Sequence, residues 1–316
     1  MRLALAGDVM LGRKVAERLR EAGPESLFAP EVVQAAREAD LVIANLECCI
    51  SERGAPAPGR VFHFRAPPVA AQALAHLGVD CVTLANNHAL DYGPEALADT
   101  LEHLRSVGLR WIGAGPNRAA ARAAVSLEAS GERLRVVTFS DHPAEYAAEP
   151  DRAGIAYADL SRRRLPDWLE GSIREAGDAP VLVFAHWGPN MTQRPVPEVR
   201  RGAEALERAG ATLVAGHSAH VFHGVAGRVL FDLGDFVDDY RIDPVLRNDL
   251  GLLWFVEVRG SEIERIEALP LTLEFCHTRL AGGPELEWIR GRLLEACTQF
   301  GTGVSERDGR FVIEPE

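Results

Sequence analysis

Carboxylate, amide and imidazole side chains recur in this chain at one kind of place, directly after a short apolar run. Asp8 follows Leu3 to Ala6 and Gly7, and Glu47 follows Leu41 to Ala44 within Asn45-Leu46-Glu47. Asn86-Asn87-His88 follows Cys81 to Ala85, His186 follows Val181 to Ala185, and Gly216-His217-Ser218-Ala219-His220 follows Thr212 to Ala215. Such runs read as buried strands, and the carboxyl ends of strands in an α/β sheet are where these folds place their ligands. Mixed carboxylate, amide and imidazole donors suit a first-row divalent metal. The pattern therefore points to a metal-dependent hydrolytic site.

Each residue also has a plainer reading. Asp8 precedes a turn into a helix through Gly12 and Arg13, where an aspartate serves well as an N-cap. A carboxylate at Glu47 is either a bridging ligand or a solvated strand end. Asn86, Asn87 and Asp91 suit turns with no chemical role, and Asp91 can cap the helix that Pro94 helps begin. Alternatively an amide oxygen completes a metal sphere, His88 acts as general acid, and Asp91 orients it through its second ring nitrogen. A lone histidine at a strand end is commonly structural, but His186, His217 and His220 end two apolar strands in a chain that also carries the acidic pair, and together they favour metal. His63, His76, His103, His142, His223 and His277 are expected to be structural or superficial. Cys48 and Cys49, which follow Glu47, read as residues packed at a strand end.

The elements that must position these groups are legible as an alternation. Strands are expected at the runs above and at Val136 to Phe139 and Val229 to Phe231, with helices around Lys14 to Ala22, Pro94 to Val107, Leu165 to Ala176 and Glu198 to Ala209. Strands alternating with helices imply a largely parallel sheet under helical cover. Leu252 to Val258 and Ile263 to Leu269 have no helix between them and read as an antiparallel hairpin, expected to contribute to a second, more mixed sheet. Ser51 to Pro68, rich in Gly, Pro and Arg, is long enough for a functional wall or lid. His142 to Asp159 and Pro189 to Pro197 are further irregular stretches. The tail is expected as an amphipathic helix from Pro284 to Phe300 followed by a short strand at Phe311 to Ile313.

At 316 residues and 47% hydrophobic content, the chain can bury a full core. No linker divides it, so 1–316 is read as a single domain with 270–316 as an extension packed on it. A net charge of -12 leaves no basic footprint for a nucleic-acid backbone. An anionic substrate would need local positive charge from metal ions and a few arginines. The five cysteines, odd in number and without a CxxC, fit reduced thiols. The sequence shows no leader pattern and no run near the ~20 apolar residues of a membrane span, so a cytoplasmic location is expected.

The motifs resemble the CapA-type, or poly-γ-glutamate capsule synthesis, proteins of the calcineurin-like metallophosphatase superfamily. The resemblance rests on Gly7-Asp8-Val9-Met10-Leu11-Gly12-Arg13, Asn45-Leu46-Glu47, Ala85-Asn86-Asn87-His88 with Asp91-Tyr92-Gly93, His186-Trp187-Gly188, Gly216-His217 with His220-Val221, and Leu233-Gly234-Asp235-Phe236. It implies a four-layer αββα sandwich with one or two divalent ions (Mn, Zn, Fe or Mg) at one sheet edge. By analogy Asp8 and His220 bind one ion, Glu47 bridges, and Asn87, His186 and His217 bind the other. His88, with Asp91, faces the leaving group, while Arg13, Asn86 and Asp235 meet the substrate.

The resemblance further implies a metal-activated water attacking phosphorus or a carbonyl, in a small anionic substrate or a γ-glutamyl polymer. A non-catalytic accessory protein of polymer synthesis and a γ-glutamyl amidase are the alternatives. The chain departs from the superfamily at Met10, where Asp-x-His is usual. It also departs at Asp235, where Asn is usual, and at Pro189-Asn190, where a Glu often follows His-Trp-Gly.

Overall fold

A computed structural model describes residues 1–162 and 164–314. Two large sheets form the centre. The first runs in the order 303–307, 310–314, 262–274, 250–259, 2–9, 41–46, 81–83, 110–112. The second runs 225–226, 229–230, 213–217, 181–186, 132–140, 125–129. The strands that carry the motifs are parallel to one another: Arg2–Val9 with Leu41–Leu46, and Val181–His186 with Leu213–His217.

Side chains alternate across a strand, and the alternation builds the layers. Leu3, Leu5, Leu41 and Ile43 of the first sheet meet Val136, Leu182, Phe184 and Leu213 of the second in one buried core. Their neighbours Ala4, Ala6, Val42 and Ala44 face the other way, against Val15, Leu19, Leu74, Leu97 and Leu104 of the helices Arg13–Ala22, Ala70–Leu77 and Gly93–Ser106. On the far side of the second sheet, Val137, Phe139, Val183 and Val214 cover Leu169, Val199 and Leu206 of Asp167–Arg174 and Pro197–Ala209. The result is the four-layer αββα sandwich that the resemblance implies. The strands buried on both faces are the near-continuous apolar runs visible in the sequence.

The hairpin Leu250–Arg259 and Glu262–Glu274 is antiparallel as expected, but it extends the first sheet and does not enter a separate one. The reason is the strand Arg2–Val9, whose Arg2 to Leu5 pair antiparallel with Trp254 to Glu257 while its end, Asp8 and Val9, pairs parallel with Asp235 and Val237. Residue 270 lies within the strand Glu262–Glu274. The tail helix Gly283–Thr298 adds Ile289, Leu293 and Cys297 to the inter-sheet core, and Arg310–Glu314 adds a strand to the first sheet. All five cysteines are buried and unpaired. Among the described residues, no helix is long and apolar enough to cross a membrane.

Candidate metal centre

The carboxyl ends of the parallel strands from both sheets meet at one edge. Asp8 stands opposite Asn45, and His186 stands opposite His217, in adjacent-strand register. A bulge between Ala6 and Asp8 re-aims the strand end, a common device beside functional sites. Gly7 is required there because a Cβ would lie 1.8 Å from the Gly234 carbonyl oxygen. Gly216, just before His217, is pinned in the same way, with a Cβ only 2.1 Å from the Phe231 oxygen. The glycines of both motifs thus let two backbones touch so that the following side chain reaches the centre.

Donor atoms of Asp8, Glu47, His186 and His217 all lie within 4.8 Å of one another, and every one of these side chains is buried. His217 Nδ1 is 3.0 Å from Asp8 Oδ1 and 3.1 Å from His186 Nδ1, and His186 Nδ1 is 3.9 Å from Glu47 Oε2. Asn45 fixes the two carboxylates: its amide donates to Asp8 Oδ1 at 2.8 Å and to Glu47 Oε2. Its own oxygen accepts from Thr83 and Asn86, which sets the amide's orientation. Asn45 belongs to the Asn-Leu-Glu motif, yet nothing in its local sequence shows that it clamps two residues 37 and 2 positions away.

A second group forms from Asp8, His220 and Asp235. His220 Nδ1 is 2.9 Å from Asp235 Oδ1 and 3.4 Å from Asp8 Oδ2, and its Nε2 is 3.0 Å from the Asn190 amide. The turn that delivers His220 holds Ser218 at φ 115 and His220 at φ 62, an arrangement that L residues adopt only when the surroundings impose it. Asp232 imposes it. Its Oδ2 accepts from Ala219 N and its Oδ1 from Gly234 N, both at 2.9 Å. No motif marks Asp232 in the sequence; a carboxylate inside the apolar run Phe231 to Leu233 is the available signal.

His88 belongs to neither group. Its Nδ1 is 2.6 Å from Asp91 Oδ2, which also accepts from Phe64 N at 2.7 Å. Phe64, from the long 51–68 loop, lies with its ring centroid 4.0 Å from that of His88 and 5.7 Å from that of Tyr240, and Tyr240 meets His220 edge-on at 5.2 Å. The loop therefore supplies a wall linking the two outer histidines. Arg60 of the same loop is 3.4 Å from Asp91 Oδ1.

Asn86 serves the framework: both its amide hydrogens are donated, to Asn45 and the Leu46 carbonyl, and its oxygen accepts from His88 N. With no free donor, it is not placed to hold a substrate. Arg13 sits at the rim, 36% exposed, paired with Asp239 at 2.8 Å and lying over Phe64 and Tyr240. His142, read as structural or superficial, stands against the centre instead, its ring 4.8 Å from that of His186 and hydrogen-bonded to Asp141. Met10 turns away: it is fully buried among helix-side residues, and its sulfur accepts from Gly12 N at 3.1 Å.

The electrostatics favour a cation. Burial and the neighbouring Asp8 raise the Glu47 carboxyl above its ordinary range, and burial with Asp238 and Asp8 does the same to Asp235. Burial pushes Asp232 up to about 8 and Asp238 up to about 6. Burial, with His142 and His217 nearby, holds His186 well below the usual imidazole value, as a neutral ligand. Asp8 goes the other way: burial opposes its charge, but the hydrogen bond and charge of His217 outweigh it.

Asp8 Oδ2, Glu47 Oε1, Asn87 Oδ1, His186 Nε2, His217 Nε2 and Asp235 Oδ2 are buried with no hydrogen-bond partner in the protein. Buried polar atoms are nearly always paired, so this concentration of free oxygen and nitrogen donors fits a divalent metal. The available donors are those expected for Mn, Fe or Zn.

The fold is a four-layer αββα sandwich with oxygen and nitrogen donors gathered at one edge of its two sheets. The chain belongs to the family described as bacterial capsule synthesis protein, PGA_cap, which it matches over residues 2–240. It is 29% identical over 288 residues to a probable polyglutamine synthesis accessory protein of Mycobacterium tuberculosis, an alignment covering 85% of this chain and 75% of that protein. It is 28% identical over 251 residues to the capsule biosynthesis protein CapA of Bacillus anthracis, covering 75% of this chain and 59% of CapA. Among solved structures, a hypothetical protein from Thermus thermophilus shares the fold with a TM-score of 0.53 at 18% identity, over 87% of this chain and 100% of that one.

Proposed function

We propose that the chain is a divalent-metal-dependent hydrolase of the capsule synthesis family, acting on a phosphoester or related anionic bond in poly-γ-glutamate or capsule metabolism. The observation that carries this reading is the convergence of Asp8, Glu47, His186 and His217 within 4.8 Å. When bound, divalent ions supply Lewis acidity and bring the pKa of a water from 15.7 toward ~7.

The side chains divide the remaining work. Asn45 holds the Asp8 and Glu47 carboxylates apart and oriented. Asp91 commits His88 Nδ1, so His88 Nε2 is the atom that moves a proton at the leaving group. Arg13, at the rim and paired with Asp239, offers an anion positive charge close to the centre. The Phe64 wall limits water on that side.

The test is a panel of phosphate esters and γ-glutamyl substrates against protein loaded in turn with Mn2+, Zn2+, Fe2+ and Mg2+. Hydrolysis of an ester that disappears with chelator and returns with metal is the expected result. Turnover confined to γ-glutamyl amides would make carbonyl carbon the electrophile and the chain an amidase.

One observation favours a second reading, a non-catalytic accessory role in which an acidic polymer is bound. An open cleft of about 550 Å³ is lined by Arg162, Arg164, Arg201 and Arg208, with Glu204 the acidic residue among them. Metal-loaded protein that hydrolyses nothing but retains poly-γ-glutamate, with retention lost in an Arg201→Glu/Arg208→Glu variant, would put this reading first.

A further inference from the structure

The superfamily ligand that Met10 removes leaves the His220 side of the centre one donor short. We infer that Asp235 takes that place, so that Asp8, His220 and Asp235 form a second cation site distinct in chemistry from the one built on His186 and His217. The inference rests on the metal-dependent reading above.

The geometry carries it. Asp235 stands beside Asp8 in parallel register across the first sheet, with Asp8 N bonded to the Gly234 carbonyl at 3.0 Å. The two carboxylates flank a single imidazole nitrogen, His220 Nδ1, at 2.9 and 3.4 Å. One imidazole can neutralise one carboxylate at most, so the second carboxylate needs a proton or a cation of its own. Asp8 is 0% exposed and Asp235 2%.

A charge at that depth is costly unless it is paired. Asp8 Oδ2 and Asp235 Oδ2 are each left without a hydrogen-bond partner, as is the hydroxyl of Tyr240. One ligand atom each from Asp8, His220 and Asp235 lies within 4.8 Å of the others, a donor set that a divalent ion can share.

The chemistry of the two sites then differs. The His186 and His217 side offers paired imidazoles, whereas the Asp235 side is dominated by carboxylate oxygen, which shifts preference toward harder ions such as Mn2+ or Mg2+. A site with two aspartates should accordingly take Mn2+ while the imidazole-rich site holds Zn2+.

The experiment is Mn2+ titration of the Zn2+-loaded full chain, followed by electron paramagnetic resonance of free Mn2+ and by equilibrium dialysis. Wild type should take up one Mn2+ per chain beyond its Zn2+. Asp235→Asn keeps an acceptor for His220 Nδ1 but removes the charge and the anionic ligand; Mn2+ affinity at that site should fall more than ~10-fold while Zn2+ content is unchanged. Asp235→Cys should exchange the preference, losing Mn2+ and giving, with Cd2+, a thiolate-to-metal charge-transfer band absent from wild type.

Unchanged Mn2+ uptake in Asp235→Asn, together with no new band in Asp235→Cys, would overturn the assignment and leave Asp235 as a hydrogen-bond partner of His220. Wild type that bound Zn2+ but no Mn2+ would overturn it while leaving the metal-dependent reading intact. Wild type that bound no divalent ion would overturn both.

Discussion

The two halves of the centre are built differently. Asp8, His186 and His217 sit on strands, where neighbouring parallel chains fix which residue faces which, and Glu47 follows its strand by one residue. His88 and His220 instead sit on turns, held by side-chain bonds from Asp91, three residues beyond His88, and from Asp232, and walled by a loop. Sheet register fixes which donors face one another, and Asp8, His186 and His217 all keep a negative φ. Turns can point a side chain where no strand reaches, at the cost of positive φ angles at Ser218 and His220. A strand-built half should therefore decide whether the centre exists, and a turn-built half what it does.

The comparison breaks first at His217. His217→Ala removes a buried donor shared with Asp8 and His186, so metal affinity should fall more than ~10²-fold, with activity lost alongside it. Metal analysis after dialysis checks this; retention of full metal would show that the strand-built half is not the anchor.

His88→Ala tests the other half. Metal content should stay at the wild-type level while turnover drops ~10²–10⁴-fold, with a smaller drop for esters whose leaving group needs no proton. Loss of metal in this variant would erase the distinction.

Asp232→Asn sharpens it. The amide turns one of two acceptors into a donor facing a backbone N–H, either that of Ala219 or that of Gly234. About 1–3 kcal/mol of stability should go, measurable by urea unfolding. Ion affinity on the His220 side should weaken while the His186 side keeps its metal.

A further effect, away from the centre, concerns pH. His223, 4% exposed with Nε2 on the Thr192 carbonyl, is held by burial at a pKa of about 4. The folded state stays neutral where the unfolded chain, with pKa near 6.5, takes up a proton. Stability is therefore full above ~6.5 and declines as pH falls toward about 4, by at most ~3 kcal/mol. His223→Gln should flatten the melting temperature across that window; an unchanged slope would rule the residue out.

The strand-built half is readable from sequence because an apolar run ending in a polar residue is a local signal. Asp8, Glu47, His186 and His217 each carry it, and the helices around Lys14 to Ala22 and Glu198 to Ala209 are local signals of the same kind. What the sequence does not show is long-range. Asn45 clamping two carboxylates, Asp232 shaping a turn 13 residues away, and His142 leaning on His186 all depend on which strands become neighbours. The hairpin is legible as a hairpin but not as part of the first sheet, because periodicity says nothing of which edge a strand will join. Asn86 shows the converse: a polar residue inside a motif whose hydrogen bonds all turn inward.

Cys48 and Cys49 directly follow Glu47 and are fully buried, with burial pushing the Cys49 thiol up to about 12 and raising the Cys48 thiol well above its ordinary value. Neither is a thiolate in the native state, and neither can meet a reagent until the chain around Glu47 opens. Their alkylation kinetics thus form a clock wired into the floor of the centre. Peptide mapping can separate these sites from Cys81, Cys276 and Cys297 without any introduced label. Ions that tie down Glu47 should slow that clock and leave the alkylation of Cys276 and Cys297 at its own pace.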